Sequence, residues 1–572
     1  MIWWAVQPGR AREERSQIAD LSEQAPWLQN LHWRLDGLRL AADFDIVAED
    51  ESFPLSIYFP EYFPQTPPIV RPREKIRLSE HQYGSGGELC LEWRADNWHQ
   101  DVTGAMMIES AYRLLSGERE TDTEQVPSAH RETMGQKLRS SHLRVLLSPS
   151  AKEAFLAVEE GKPLSAAVSE HNYGSAWIVY PIRIGVKDAP DWAEQPLLTK
   201  GMREQEAHVL RLPRGTTLPR KLTMESILSL CSELGVEEWF EEAAEEFWPF
   251  VFLIDDSEIL LITILGDERN VYKYATLEIS DEGGRLPAEY DALADKRVAI
   301  VGCGSVGSKV AVSLARSGVR SFLLVDPDVV LPGNMVRNEL DLRAVGTHKS
   351  NALEHKLLEI SANCEVMVKP LLLGGQESSG YTTSVLNEMS ECSLLIDATA
   401  NPNVFNLCAA VGCSHRTPLI WGLVYAGGIG GVVARARPDS DPPPLIARNQ
   451  IASWYAARQQ PWPYEDSDIG YGAEGPEAPP LIADDADVTI VAAHLTRFAL
   501  DSLVRPDNSI FPASAYAFGL RQGWIFQAPF DTWPIELTKE GVWGAMAEAN
   551  ASEELQALLA ELASEAERQD ED

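Results

Sequence analysis

Arg297-Val298-Ala299-Ile300-Val301-Gly302-Cys303-Gly304-Ser305-Val306-Gly307 is the stretch whose reading sets the fold. Five residues of short buried strand run into a glycine turn. A helical segment follows to Ser317, where Gly318 stops it. A second apolar strand, Ser321–Val325, ends at Asp326. This is a βαβ unit opening a parallel sheet. Later apolar strands at Ser393–Ile396 and Leu419–Leu423 continue the sheet, so the class is α/β. Glycines at 302, 304 and 307 let the backbone approach a phosphate, and the helix behind them points its positive N-terminus at it. Asp326 stands where an acidic residue can hold a ribose hydroxyl. The turn by itself serves a dinucleotide oxidoreductase as well as an ATP enzyme.

Working outward, Asp328-Val329-Val330-Leu331-Pro332-Gly333-Asn334-Met335-Val336-Arg337-Asn338 follows the second strand. Gly346-Thr347-His348-Lys349-Ser350 comes next, and Asp397 ends an apolar strand in Leu394-Leu395-Ile396-Asp397. Taken singly, Arg337 and Lys349 read as surface charges and Asp397 as a strand-end cap. As an ordered set after the glycine turn, over about residues 290–435, they resemble the adenylation domain of ubiquitin-activating enzymes and their ThiF/MoeB-type relatives. The resemblance implies ATP and Mg²⁺ as cofactors. Asp326 would hold the ribose, Asn334, Arg337 and Lys349 would contact the phosphates, and Asp397 would act beside the metal. The residue types suit that chemistry. Charge gathers on the phosphates as a carboxylate attacks the α-phosphorus, so fixed cations stabilise the transition state. Mg²⁺ needs only one or two carboxylates because it keeps several waters. Cys408 and Cys413 form one close pair with no second pair to complete a zinc site, and both read as buried small residues.

A second cysteine segment lies at the other end: His81-Gln82-Tyr83-Gly84-Ser85-Gly86-Gly87-Glu88-Leu89-Cys90-Leu91, with Trp98 beyond it and a proline-rich bend, Phe63–Pro68, before it. A polar helix over 10–23, alternating segments at 31–47 and 54–60, and a helical segment at 103–115 surround it. Bend, glycine-rich loop, Cys-Leu pair and tryptophan resemble ubiquitin-conjugating enzymes, which implies Cys90 as an acyl-accepting thiol. Gln82 and Tyr83 depart from the family, which has proline and asparagine there. Tyr83 reads equally as a hydroxyl replacement and as a packed aromatic.

The chain has 572 residues, 45% of them hydrophobic, and a net charge of −37 from 86 acidic and 49 basic side chains. Length and composition predict three or four globular domains. Such acidity repels phosphate backbones and argues against nucleic-acid binding. No apolar run is long enough to span a membrane. Seven scattered cysteines do not form a secreted disulfide framework, which fits a cytoplasmic location. The expected organisation is a conjugating-like domain over 1–120 and a linker with a small α+β module over 121–285, in which 121–157 reads as helical. The adenylation domain over 286–550 follows, containing a long loop over 439–480, and an acidic helical tail over 551–572 ends the chain. Leu555, Leu558, Leu559 and Leu562 share one face of that tail and read as a docking surface.

This arrangement looks like the activating–conjugating fusions of CBASS anti-phage systems and related bacterial ubiquitin-like conjugation operons. What it implies is adenylation of a protein's C-terminal carboxylate, thioester formation at Cys90 and transfer to a target amine, in a homodimer. The activated partner would be a ubiquitin-like modifier or a nucleotidyltransferase C-terminal tail. Activating enzymes often use a second cysteine late in the domain, yet no cysteine follows Cys413. The expectation is therefore direct passage to Cys90, or a hydroxyl in the thiol's place. Three other readings stay open: a sulfur-carrier-activating enzyme with a scaffold N-terminal domain, an NAD-binding oxidoreductase, and an inactive adaptor.

Overall fold

A computed structural model describes residues 2–569 apart from 49–50, 75, 77, 80, 84–85, 121–134, 136–137, 195–202, 217, 219–221, 246–247, 257, 280–285, 362, 459–482 and 545–550. The polypeptide divides into two units, Met1–His142 and Leu143–Asp572.

In the first unit, Pro8 occupies the first turn of a helix over Pro8–Gln24, where its missing N–H costs nothing. Strands Leu28–Asp36, Arg39–Ala48, Glu51–Tyr58 and Ile69–Pro72 form an antiparallel meander in that order. Register puts Ala42 opposite Ile57, Phe44 opposite Leu55 and Ile46 opposite Phe53, so one face of the sheet is continuously apolar. Ile18 from the first helix and Ile108, Ala111 and Leu115 from the helix Gly104–Glu120 pack on it. A buried carboxylate ties the two helices. Glu14 accepts the Gly104 N–H at 2.7 Å, capping an otherwise orphan donor, and also the Arg10 Nε–H at 2.9 Å. Burial pushes the Glu14 carboxyl up, partly offset by those bonds.

The second unit begins with a nine-stranded mixed sheet. Its strand Leu143–Leu147 corrects the helical expectation for 121–157. That strand pairs in parallel with Trp177–Val179 and with Ala275–Glu278, and of the described residues from 138 to 157 only the 3-10 turn Leu138–Ser140 and the α-helix Pro149–Leu156 are helical. Residues 121–134 lie outside the described residues. Pairing with segments 30 and more residues away overrode the local pattern.

The βαβ expectation holds as drawn. Eight strands order as Glu365–Lys369, Ser321–Val325, Arg297–Val301, Leu394–Asp397, Leu419–Val424, Gly430–Ala436, Ala515–Gly519 and Thr532–Ile535. The first five run parallel and the rest antiparallel. Helices Ser305–Ser317 and Asp485–Val504 cover one face, while Ser379–Ser390, Pro402–His415 and Pro444–Ala456 cover the other. The expected long loop over 439–480 is corrected by Pro444–Ala456. Pro444 sits at the start of that helix, and Ala447, Ile451 and Tyr455 bury one stripe at spacing four. A proline cluster that looked like loop is a helix start. The remainder of that stretch, 459–480, lies outside the described residues. The tail helix spans Ala551–Gln569, but Leu555, Leu558, Leu559 and Leu562 stay 51–55% exposed, so the expected docking face is uncovered here. No helix among the described residues is long and apolar enough to cross a membrane.

Candidate active site

Strand order reverses between Arg297–Val301 and Leu394–Asp397, since connections leave these neighbours in opposite directions. Ligands of open α/β sheets bind outside the carboxyl ends of strands at such a point. A cavity of about 450 Å³ opens there.

The glycine turn forms its rim. Gly302 has φ +90°, and a Cβ on it would come within 2.8 Å of the Thr399 side chain. A Cβ on Gly307 would lie 1.8 Å from the Gly302 carbonyl oxygen, so this glycine packs helix against turn. Gly304 differs. It has ordinary φ and no atom within 4 Å of a would-be Cβ, so nothing in the protein requires glycine there. It borders the cavity, so its backbone is open to that space. Gly304 is also the N-cap of the Ser305–Ser317 helix, and no side chain caps that end, which leaves its amide donors for an anion.

Asp326 is buried at the end of its strand. Its Oδ2 accepts the Cys303 N–H at 2.6 Å and its Oδ1 the Asp328 N–H at 2.8 Å. Burial pushes its carboxyl up, against those hydrogen bonds and the nearby Lys349. Lys349 opens the helix Lys349–Ile360 and pairs with Asp328 at 2.7 Å. Asn334 accepts the Leu331 N–H at 2.9 Å, and the Arg337 N–H donates to the Asn334 carbonyl, so one 3-10 turn, Pro332–Val336, sets both.

Gly302, Gly304, Asp326, Asn334, Arg337 and Lys349 all line the cavity; Gly307 and Asp397 do not. Asp397 is 3% exposed and lines a narrow cleft alongside. Its Oδ1 accepts both the N–H and the hydroxyl of Thr399, at 3.0 and 2.6 Å. Burial pushes its carboxyl up to about 6 despite these bonds. Sequence reasoning missed Asp328, Asn338, Thr399 and Asn401 as lining residues. Asn338 follows Arg337 directly, and Thr399 and Asn401 continue the strand end at Asp397; both positions were readable signals.

In the first unit, Leu89 and Leu91 are buried and Cys90 between them is half-buried. Alternation therefore turns the thiol away from the core. The Cys90 N–H donates to the His81 carbonyl at 2.8 Å. Gln82, the departure from the family pattern, ties the loop: its amide oxygen accepts the N–H groups of Leu78 and Ser79, and its Nε2 donates to the Gly87 carbonyl at 2.9 Å. Trp98 donates its Nε1–H to the Pro64 carbonyl at 2.8 Å, joining the tryptophan to the proline bend. Tyr83 is 53% exposed, so it is not a packed aromatic. Of the seven cysteines, Cys231, Cys303, Cys364, Cys392 and Cys408 are buried with thiols pushed up by burial, which disfavours the thiolate. Cys413 is half-buried, which corrects the reading of it as a buried small residue.

Residues 274–442 match the ThiF family. The chain carries a ThiF-family domain. Protein y4qC of Sinorhizobium fredii is 31% identical over 234 residues, covering 40% of this chain and 40% of that protein. The ATP-dependent ubiquitin transferase-like protein Cap2 of Vibrio cholerae is 34% identical over 123 residues, 21% of this chain and 20% of Cap2. Ubiquitin-like modifier-activating enzyme 5 of Caenorhabditis briggsae is 35% identical over 80 residues, 14% of this chain and 18% of the enzyme. The chain thus spans two fifths or less of the length of these relatives. The likeness supports a ThiF-type domain in a fusion that resembles the Cap2 proteins.

Proposed function

We propose that the ThiF domain adenylates the C-terminal carboxylate of a partner protein and that the acyl group then passes to Cys90 for conjugation to a target amine. The single observation that carries this is one cavity at the carboxyl ends of the parallel strands, lined together by Gly302, Gly304, Asp326, Asn334, Arg337 and Lys349. Asp326 and the turn would hold the ribose and phosphates of ATP. Arg337 and Lys349 would take the charge that develops as the carboxylate oxygen bonds to the α-phosphorus and pyrophosphate leaves. Mg²⁺ would supply further charge neutralisation on the phosphates. Asp397, in the adjoining cleft, is the carboxylate that would act beside the metal, an ion that needs only one or two such ligands.

In the second step a thiolate attacks the acyl carbon and AMP leaves. Burial and raised thiols leave Cys90 and Cys413 as candidates. Cys413 sits near the far end of the Pro402–His415 helix, about 16 Å along its axis from the end that borders the nucleotide cavity. Cys90 is therefore the acceptor in this reading, and the N-terminal unit a ubiquitin-conjugating-like domain. The cysteine and tail chemistry, together with the Cap2 likeness, favours a ubiquitin-like modifier or a nucleotidyltransferase tail as partner, a homodimeric cytoplasmic enzyme, and a role in anti-phage defence.

Intact mass spectrometry tests the reading. With ATP, Mg²⁺ and the tail-bearing protein encoded beside the gene, the wild type and Cys413→Ala form a thiol-labile adduct and Cys90→Ala forms none. An adduct on Cys413, lost in Cys413→Ala, overturns direct transfer to Cys90. Adenylation that persists with no thioester on any cysteine favours sulfur-carrier activation.

A further inference from the structure

The narrow cleft beside the nucleotide cavity, about 20 Å³ in volume, holds an unusual arginine. Ala400, Asn401, Gly422 and Leu423 line both spaces, so the cleft and the cavity share one wall. Arg448 reaches the cleft from the Pro444–Ala456 helix, on the side of Asp397. Its guanidinium carbon lies 4.8 Å from the centre of the Phe405 ring. Among the described residues it makes no hydrogen bond and no salt bridge, and its charge acts on Asp397, whose Oδ1 is committed to Thr399.

Three other arginines of this domain are paired with carboxylates. Arg435 bonds Asp501 at 2.6 Å, Arg437 bonds Asp441 at 2.8 Å and Arg416 bonds Asp439 at 2.6 Å. Half-buried in the lining of the cleft, the guanidinium keeps its five N–H donors for an oxygen ligand. The planar fork matches a carboxylate or a phosphate. The phosphate-binding groups, however, are Arg337, Lys349 and the open helix N-terminus, all on the nucleotide side of the shared wall.

We infer that Arg448 binds the terminal carboxylate of the protein substrate, holding one oxygen while the other attacks the α-phosphorus. The inference rests on the adenylation reading above. The contact with the Phe405 ring steadies the guanidinium without spending its N–H donors, which leaves them for the incoming tail. The attacking oxygen gains its bond to phosphorus, the bridging P–O bond breaks, and pyrophosphate leaves with the electron pair.

ATP–pyrophosphate exchange tests it, using the neighbouring-gene protein that supports exchange by the wild type. Arg448→Ala and Arg448→Gln are expected to raise the KM for that protein at least tenfold. The KM values for ATP and pyrophosphate stay within twofold, and Arg448→Lys recovers part of the loss. The glutamine variant keeps the apolar stem, and its unchanged ATP KM reports an intact fold. An unchanged protein KM in Arg448→Gln overturns the inference, as does a shift in the pyrophosphate KM alone, which would assign Arg448 to the leaving group. A wild type inert with every neighbouring gene product overturns the adenylation reading itself, before any variant is made.

Discussion

The glycine turn at 302–307 and the loop at 78–90 are both tight backbone features that present a reactive group, yet they are held in different ways. At the turn, the chain is fixed by backbone and packing: a positive φ at Gly302, no room for a Cβ at Gly307, and a parallel sheet on both sides. At the loop, one side chain does the fixing. Gln82 spans Leu78, Ser79 and Gly87, and the local sheet is only two residues per strand, Gln82–Tyr83 and Glu88–Leu89. On the function proposed above, a site for a small rigid molecule would sit on regular elements, and one that accepts and releases a polypeptide end on a loop.

The sharpest way to break this contrast is at Arg337. Arg337→Ala is expected to lower ATP–pyrophosphate exchange by about 10³-fold, the scale of a single placed arginine in phosphoryl transfer, with little change in melting temperature. A large loss of stability would mean that the phosphate segment is scaffold and not site.

Asp397 gives an intermediate effect, with a sign fixed by its raised carboxyl. In the folded chain it ionises at about 6, against about 3.9 for an unfolded aspartate. Proton loss therefore costs the folded state more than the unfolded one. The cost grows as pH rises from about 4 through 6 and is complete above that. Asp397→Asn keeps an oxygen to accept from Thr399 and removes the buried charge. It is expected to gain on the order of 2 kcal/mol at pH 8 and nearly nothing at pH 4, read as melting temperature against pH. A gap between variant and wild type that does not widen with pH would show that the carboxyl is not held neutral by burial.

The smallest effect belongs to the loop. Gln82→Ala removes the acceptor for two N–H groups and the donor for the Ile76 and Gly87 carbonyls, at about 1–2 kcal/mol. Hydrogen exchange at Leu78 and Ser79 is expected to quicken several-fold while the glycine turn is unaffected. Unchanged protection there would mean that the loop is held by something besides Gln82.

How much was legible follows the same division. The strand, turn, helix and second strand at 297–326 were readable residue by residue because each signal is local: apolar run, glycine, periodic helix, glycine stop. The central sheet was legible in part: Ala176–Val186 and the apolar segments 250–254, 259–264 and 272–279 read as strands, but its strand Leu143–Leu147 did not. Leu143–Leu147 is a strand only because Trp177–Val179 and Ala275–Glu278 lie beside it, and no period within five residues announces such partners. The Pro444–Ala456 helix was missed because a proline cluster reads as loop until packing shows Ala447, Ile451 and Tyr455 on one buried stripe.

By itself, the sequence determined the chemistry on offer: a phosphate turn, two cations, strand-end carboxylates and a cysteine between leucines. Only the tertiary structure decided who meets whom. It set Asp397 in a side cleft, drew Arg448 toward it from 51 positions away, and buried five thiols while leaving Cys90 and Cys413 half-buried. Parallel crossovers carry strand ends distant in sequence to one edge of the sheet, and desolvation then acts on whatever gathers there, which no local pattern encodes.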